Sequence, residues 1–197
     1  MRINELNKSE KKILSIEDIS RILSVEKDSA KVSANRYVKQ GLLLRIKKNF
    51  YITPEKFKQL DEIEIFQTAN LLQTPSYISL STALMYYNIS TQQQQNVIES
   101  VALKRSRLLK VNETAFRYFI VSKEFYSGFI LNENFFIASP AKAFADVVYL
   151  SSIGKYDCDF NAIDFRKLNR TEVDTFLKNT NPRTIKYWEK LCVSYKI

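Results

Sequence analysis

The sequence predicts an α+β protein: an amino-terminal winged helix-turn-helix over residues 1–58, then a mixed α/β carboxy-terminal domain with a small sheet and several helices over residues 59–197. Three observations predict it. Apolar residues recur at helical spacing up to Gly41, which stops them just before two short strand-like runs. Beyond Asn96 the pattern shifts toward strands, and from Ser139 it returns to helix. Charge is also lopsided. Residues 27–58 hold nine lysines and arginines against Asp28 and Glu55, which leaves 21 basic and 19 acidic residues elsewhere.

Residues 9–14 read as the end of a first helix. Ser15-Ile16-Glu17-Asp18 offers a Ser-x-x-Asp cap for a second, whose Ile19, Ile22 and Leu23 share one face. Residues 24–27 interrupt the period. Asp28 or Ser29 can cap a third helix running to Gln40, with Gly41 as its left-handed stop. On that helix Ala30, Ala34 and Tyr37 fall at spacings of four and three and face inward, flanked by Val38. Residues 42–46 and 50–52 then form two strand-like runs around Lys47-Lys48-Asn49, a short basic wing.

A local excess of cations on such an element is the electrostatic footprint expected where phosphates are neutralised. The residues expected at a DNA surface are Ser29, Lys31, Ser33, Asn35, Arg36 and Lys39 on the helix, and Arg45, Lys47, Lys48 and Asn49 on the wing. Val32 also faces outward. Arg36 is the best candidate for reading a base, because a guanidinium can bond a guanine edge at two points. Lys47 and Lys48 would grip phosphates. The competing reading is an ordinary solvated helix face.

In the second half, residues 61–72 read as a helix with Ile63, Phe66, Ala69 and Asn70 on or near one face. Pro75-Ser76-Tyr77 reads as a loop, Ser79 or Ser81 as the start of a helix through Tyr87, and Gln92 to Gln95 as an exposed loop. Strands are expected at 97–103, 115–121, 129–131 and 135–138, with Asn132-Glu133-Asn134 as a hairpin turn. Ser139-Pro140 starts a buried helix bearing Ala143, Phe144, Val147, Val148 and Leu150. Residues 171–179 and 182–193 are two further helices, the latter with Trp188 as core. Lys104, Arg105, Arg107 and Lys110 form a second basic run, read as a charged turn, with contact to nucleic acid or an acidic partner as the alternative. Tyr86 and Tyr87, if exposed together, would mark a partner surface.

Several chemistries are excluded. The chain has no histidine, which removes the commonest general base and the Ser-His and Cys-His pairs. With only Gly41, Gly128 and Gly154, no glycine-rich phosphate loop can be written. Cys158 and Cys192 lie far apart, so neither a disulfide framework nor a metal site is expected, and no cofactor is. Ser139-Pro140-Ala141-Lys142 matches S-x-x-K formally, but its partner motifs are missing and Ser139 is needed as a cap. Asp146 is expected to make a local hydrogen bond or an interdomain pair. An enzyme holding magnesium on Asp146, Asp157 and Asp159 is the alternative of a different class. No apolar run approaches the roughly 20 residues of a membrane span, and cytoplasm is the expected location.

Three segments together resemble the AbiEi-type antitoxins of type IV toxin–antitoxin systems. Residues 32–43 with Lys48-Asn49-Phe50-Tyr51 are similar to that family's winged helix, and residues 77–84 to the opening of its second domain. Residues 137–150 are similar to its A-S-P-E-K-A-L-x-D helix, with Ala141 where a glutamate is usual. The resemblance implies a non-catalytic autorepressor that binds promoter inverted repeats as double-stranded DNA and counteracts a nucleotidyltransferase toxin, with or without a stable complex. Monomer and dimer on DNA both fit. The other reading is a winged-helix regulator whose carboxy-terminal domain senses a ligand or protein.

Overall fold

The computed structural model describes residues 2–91 and 95–197 as a mixed α+β structure. Of the glutamine run expected as a loop, Gln92–Gln94 lie outside the described residues, and Gln95 is exposed.

The chain begins with α1 (Ile3–Asn7), β1 (Leu14–Ser15), α2 (Ile16–Ile22) and α3 (Lys27–Lys39), followed by the hairpin β2 (Leu44–Lys47) and β3 (Phe50–Ile52). Residues 9–14 are not helical. Leu14 and Ser15 extend to pair antiparallel with Tyr51 and Phe50, so a stretch expected to be helix becomes the third strand of a sheet ordered β1-β3-β2. Burial explains the change, because an extended backbone carries Leu14 fully into the core beneath that sheet. Ser15 then starts α2 as expected. Its Oγ accepts the Asp18 N–H at 3.1 Å, and Asp18 accepts the Ser15 N–H at 3.0 Å.

Helix α3 begins at Lys27, two or three residues earlier than a cap at Asp28 or Ser29 would allow, with Glu26 at the N-cap and no side-chain cap. Asp28 instead sits in the first turn, where its charge complements the helix dipole. Gly41 at φ +72° ends the helix, a conformation only glycine adopts without strain. Ala30, Ala34 and Tyr37 are buried as expected, against Leu14, Ile16, Ile19 and Leu43. Small side chains at 30 and 34 let α3 approach α2 closely.

Helix α4 (Pro54–Lys58), which the sequence did not announce, follows with Thr53 as its cap. Its Lys56 ammonium donates to the carbonyls of Leu6, Ser9 and Lys11 at 3.1, 2.6 and 3.2 Å. The Leu6 carbonyl also accepts the Ser9 N–H at 3.3 Å, so the ammonium shares it with the turn after α1. One cation of the amino-terminal excess is thus occupied by the fold.

The larger part comprises α5 (Glu62–Leu72), β4 (Ser76–Ile78), α6 (Leu80–Tyr86), β5 (Val97–Ala102), β6 (Arg107–Val111), β7 (Thr114–Ile120), β8 (Phe129–Asn132), β9 (Phe135–Ala138), α7 (Pro140–Ser152), α8 (Arg170–Leu177) and α9 (Pro182–Tyr195). Its strands form one mixed sheet ordered β6-β7-β5-β4-β9-β8, parallel at β5/β7 and β4/β9 and antiparallel elsewhere. Ser76 and Tyr77, expected in a loop, belong to β4 near the middle of the sheet, and all three β4 residues are buried. Burial on both faces leaves no alternation to read. Residues 107–111, expected as a charged turn, form the edge strand β6, whose Val111 is buried while Arg107, Leu108 and Lys110 face solvent. The turn at Glu133-Asn134 has φ +42° and +63°, as a tight hairpin demands.

Helix α7 starts at Pro140, with Ser139 accepting the Lys142 N–H, and ten of its thirteen residues are buried. Ser79 precedes α6 without capping it, since its hydroxyl donates to Asp146 instead. Gly128, at φ +72°, lies where a Cβ would meet the Phe176 ring at 2.5 Å, so glycine is required for this close approach. Trp188 is core, as expected, and donates to Asp174 at 2.6 Å. Tyr86 packs edge-on against Phe66 and Phe135, and Tyr87 donates to the Ala138 carbonyl, so this pair belongs to the packing rather than to a free surface.

The two cores meet at the hairpin. On β3, Tyr51 joins the amino-terminal core, while Ile52, with Ile46 of β2, joins the large one. Lys12 and Glu64 add an ion pair of 2.5 Å between the parts.

Candidate nucleic-acid interface

Burying Ala30, Ala34 and Tyr37 fixes what the opposite face of α3 presents. Ser29, Asn35, Arg36 and Lys39 are exposed, Lys31 and Ser33 are half-buried, and Val32 is 69% exposed. Val32 faces outward as expected, and an exposed β-branched side chain suits contact with a thymine methyl. The Arg36 guanidinium lies 5.4 Å from the Tyr37 ring centroid, which holds its stem against the helix.

The hairpin is tied to this face. Arg45 donates to the Asn35 side-chain oxygen and stands 5.7 Å over the Tyr51 ring, its cross-strand partner. Asn49 turns the hairpin at φ +67°. Between helix and hairpin lies a cavity of about 290 Å³ lined by Lys31, Asn35, Arg45, Lys48, Asn49 and Tyr51. Lys31 is partly answered inside the fold. Its ammonium meets Asp28 at 2.8 Å, which raises its pKa and lowers that of the carboxyl.

Lys47 and Lys48 are not equivalent. Lys47 donates to the Leu71 carbonyl at 3.1 Å, near the carboxy end of α5, where a cation also answers the helix dipole. Lys48 is exposed and makes no such bond among the described residues.

Lys104, Arg105 and Arg107 come to the same place. Together with Lys47 and Lys48 they line a cleft of about 440 Å³ between the hairpin and β6, walled by Ile46, Leu72 and Leu109. Lys110 stands further along β6 and does not line it. Lys48 borders both this cleft and the smaller cavity at α3.

The remaining ionisable groups of note are inside. Asp146 is fully buried, 2.8 Å from the Lys142 ammonium, and accepts hydrogen bonds from Tyr77 and Ser79 at 3.0 and 2.7 Å. Lys142 also donates to the Phe125 carbonyl and sits 3.4 Å from the centre of its ring. Burial pushes the Asp146 carboxyl up and the Lys142 ammonium down, with the mutual ion pair opposing both. Asp159 caps the short turn at Asn161. Among the described residues no group of three or more His, Cys, Asp or Glu is placed to hold a metal ion, and the proposed first ligand, Asp146, already has Lys142. Sequence reading missed Glu99, fully buried on β5, where it accepts from the Tyr156 hydroxyl at 2.7 Å. A lone acid in an apolar strand is the signal that could have found it. Burial pushes both thiols, Cys158 and Cys192, up, away from thiolate chemistry.

Among the described residues no helix is long and apolar enough to cross a membrane. No family model, curated protein or solved structure matches the chain.

Proposed function

We propose that the amino-terminal part is a winged helix-turn-helix that binds double-stranded DNA, with α3 in the major groove and the β2–β3 hairpin as the wing. One observation carries the reading. The face of α3 opposite its core offers Asn35, Arg36 and Lys39 to solvent, and the Arg45–Asn35 bond sets the basic hairpin beside it. In this reading Arg36 reads a base edge and Lys48 holds a phosphate, while Lys47 contributes field more than contact.

The resemblance to AbiEi-type antitoxins supports a more specific role. The chain acts in the cytoplasm, represses its own operon through promoter repeats as a monomer or dimer, and counteracts a nucleotidyltransferase toxin without catalysis of its own. The α7 segment around Ser139-Pro140 carries that likeness. A second reading, a regulator whose carboxy-terminal domain senses a ligand, is favoured by the basic cleft at β6.

Gel-shift measurements on DNA upstream of the reading frame test the interface. Arg36→Ala should weaken binding by about tenfold or more, the worth of one two-point base contact. Lys48→Ala should lower the slope of log affinity against log salt by about 0.9, and Lys47→Ala should lower it less. Unchanged binding in Arg36→Ala and Lys48→Ala would sink this interface. Co-expression with the neighbouring reading frame tests the antitoxin role, which requires that this chain relieve the neighbour's toxicity.

A further inference from the structure

The cleft between the hairpin and β6 carries more than the DNA reading uses. Its rim holds Lys48, Lys104, Arg105 and Arg107, and among the described residues none of these four forms an ion pair. A nucleoside diphosphate carries about three negative charges near neutrality, one on its inner phosphate and roughly two on its terminal one, so four free cations match it better than they match a lone phosphate. A volume of about 440 Å³ lies in the range of small-molecule sites, roughly 300–1,000 Å³.

A second observation points the same way. Gln73 lines the cleft, is only 6% exposed, and donates through Nε2 to the Arg105 carbonyl at 2.7 Å. That bond fixes the orientation of the amide and leaves Oε1 buried with no hydrogen-bond partner among the described residues. An orphaned acceptor of this kind carries a desolvation penalty that a ligand donor would remove. Beside it, Ile46 and Leu72 give an apolar wall. Cations for phosphate, one acceptor for a hydroxyl or amino group, and an apolar wall for a ring make up the complement of a nucleotide.

We infer that this cleft binds a nucleoside diphosphate, with its phosphates on Lys48, Lys104, Arg105 and Arg107 and a sugar or base donor on Gln73 Oε1. Because Lys48 also borders the cavity beside α3, an occupied cleft withdraws that cation from DNA, and the ligand antagonises DNA binding. The antagonism rests on the DNA reading above. The ligand site does not.

Isothermal titration of the full chain with ADP, in the absence of DNA, reads the site directly, with inorganic pyrophosphate as the probe for the phosphate half alone. ADP should bind saturably and more tightly than pyrophosphate. Arg105→Ala with Arg107→Ala, both solvent-facing changes, should weaken ADP by about tenfold or more through lost charge-assisted bonds. Gln73→Leu should bring ADP down toward pyrophosphate, and Arg36→Ala should leave ADP unchanged. The inference is overturned if ADP does not saturate at millimolar concentration, if it binds no better than pyrophosphate, or if the arginine variant binds it normally. It is equally overturned if that variant loses DNA affinity alone, which would assign the cleft to the DNA backbone. A failed gel shift with intact ADP binding would instead remove the DNA reading and keep the ligand.

Discussion

In the amino-terminal part the cations Arg36, Lys39, Arg45 and Lys48 stand in solvent around a core closed by Ala30 and Ala34, whereas the large domain takes Lys142 and Asp146 wholly inside, 2.8 Å apart. A solvated cation keeps its field for a polyanion and loses little water on meeting one. A buried cation is saturated by its neighbours, here a carboxylate, a carbonyl and an aromatic ring. Net charge alone therefore says little about function. What matters is which charges the fold leaves unanswered.

Breaking the buried pair should give the largest effect. Asp146→Ala leaves the Lys142 ammonium buried without its partner and should lower unfolding free energy by about 3–5 kcal/mol, read by urea denaturation. Replacing both, Lys142→Met with Asp146→Leu, should recover most of that loss, because an apolar pair needs no dehydrated charge. A single-variant loss below about 1 kcal/mol would mean that water reaches the pair and that the contrast is overdrawn.

Lys56 sharpens the comparison from inside the basic segment. It bonds three carbonyls, and burial lowers its pKa. Lys56→Ala should destabilise by about 2 kcal/mol, as expected for hydrogen bonds from a charged donor, while leaving DNA affinity near that of the parent chain. If it weakens DNA binding as much as Lys48→Ala does, the distinction between answered and free cations fails.

The smallest effect concerns pH, where the two parts should differ in sign. Hydrogen bonds from Lys11 and Ser15 hold the Asp18 carboxyl down at about 2. Its folded value lies below its unfolded one, so its contribution is present above pH 4 and lost as pH falls toward 2. Lys11 is 62% exposed, and with that screening the contribution is about 1 kcal/mol. Glu99 behaves oppositely. Burial raises its pKa, so the folded state favours the protonated form and stability falls as pH rises through the ordinary carboxylate range. Asp18→Asn should flatten the acid limb of a stability profile and Glu99→Gln the limb above it. Profiles unchanged by either substitution would refute the assignment.

Much of this was legible because it is local. The inward face of α3, its glycine stop, the Ser15–Asp18 cap and the buried α7 all follow from spacing within a few turns. Strands β1 and β4 were not legible, since two or three residues contain no period, and their extension is dictated by distant partners, Tyr51 for Leu14 and Val101 for Tyr77. Charges concealed β6, because Arg107 shares the face of Leu109 and Val111 and so breaks the alternation. The meeting of the two basic runs was out of reach as well, because it depends on sheet order placing β6 at the edge beside the hairpin. Counting cations could not show that Lys47 and Lys56 end on carbonyls.

Strand β3, with Tyr51 in one core and Ile52 in the other, bears on how such a protein can be altered by descent or design. The halves are not interchangeable parts. A head grafted from elsewhere must bring a strand whose two faces fit two different interiors at once, so recombination near the hairpin should rarely give a folded product. The outer face of α3 bears no such double obligation, and single substitutions there can diversify while the scaffold stays fixed.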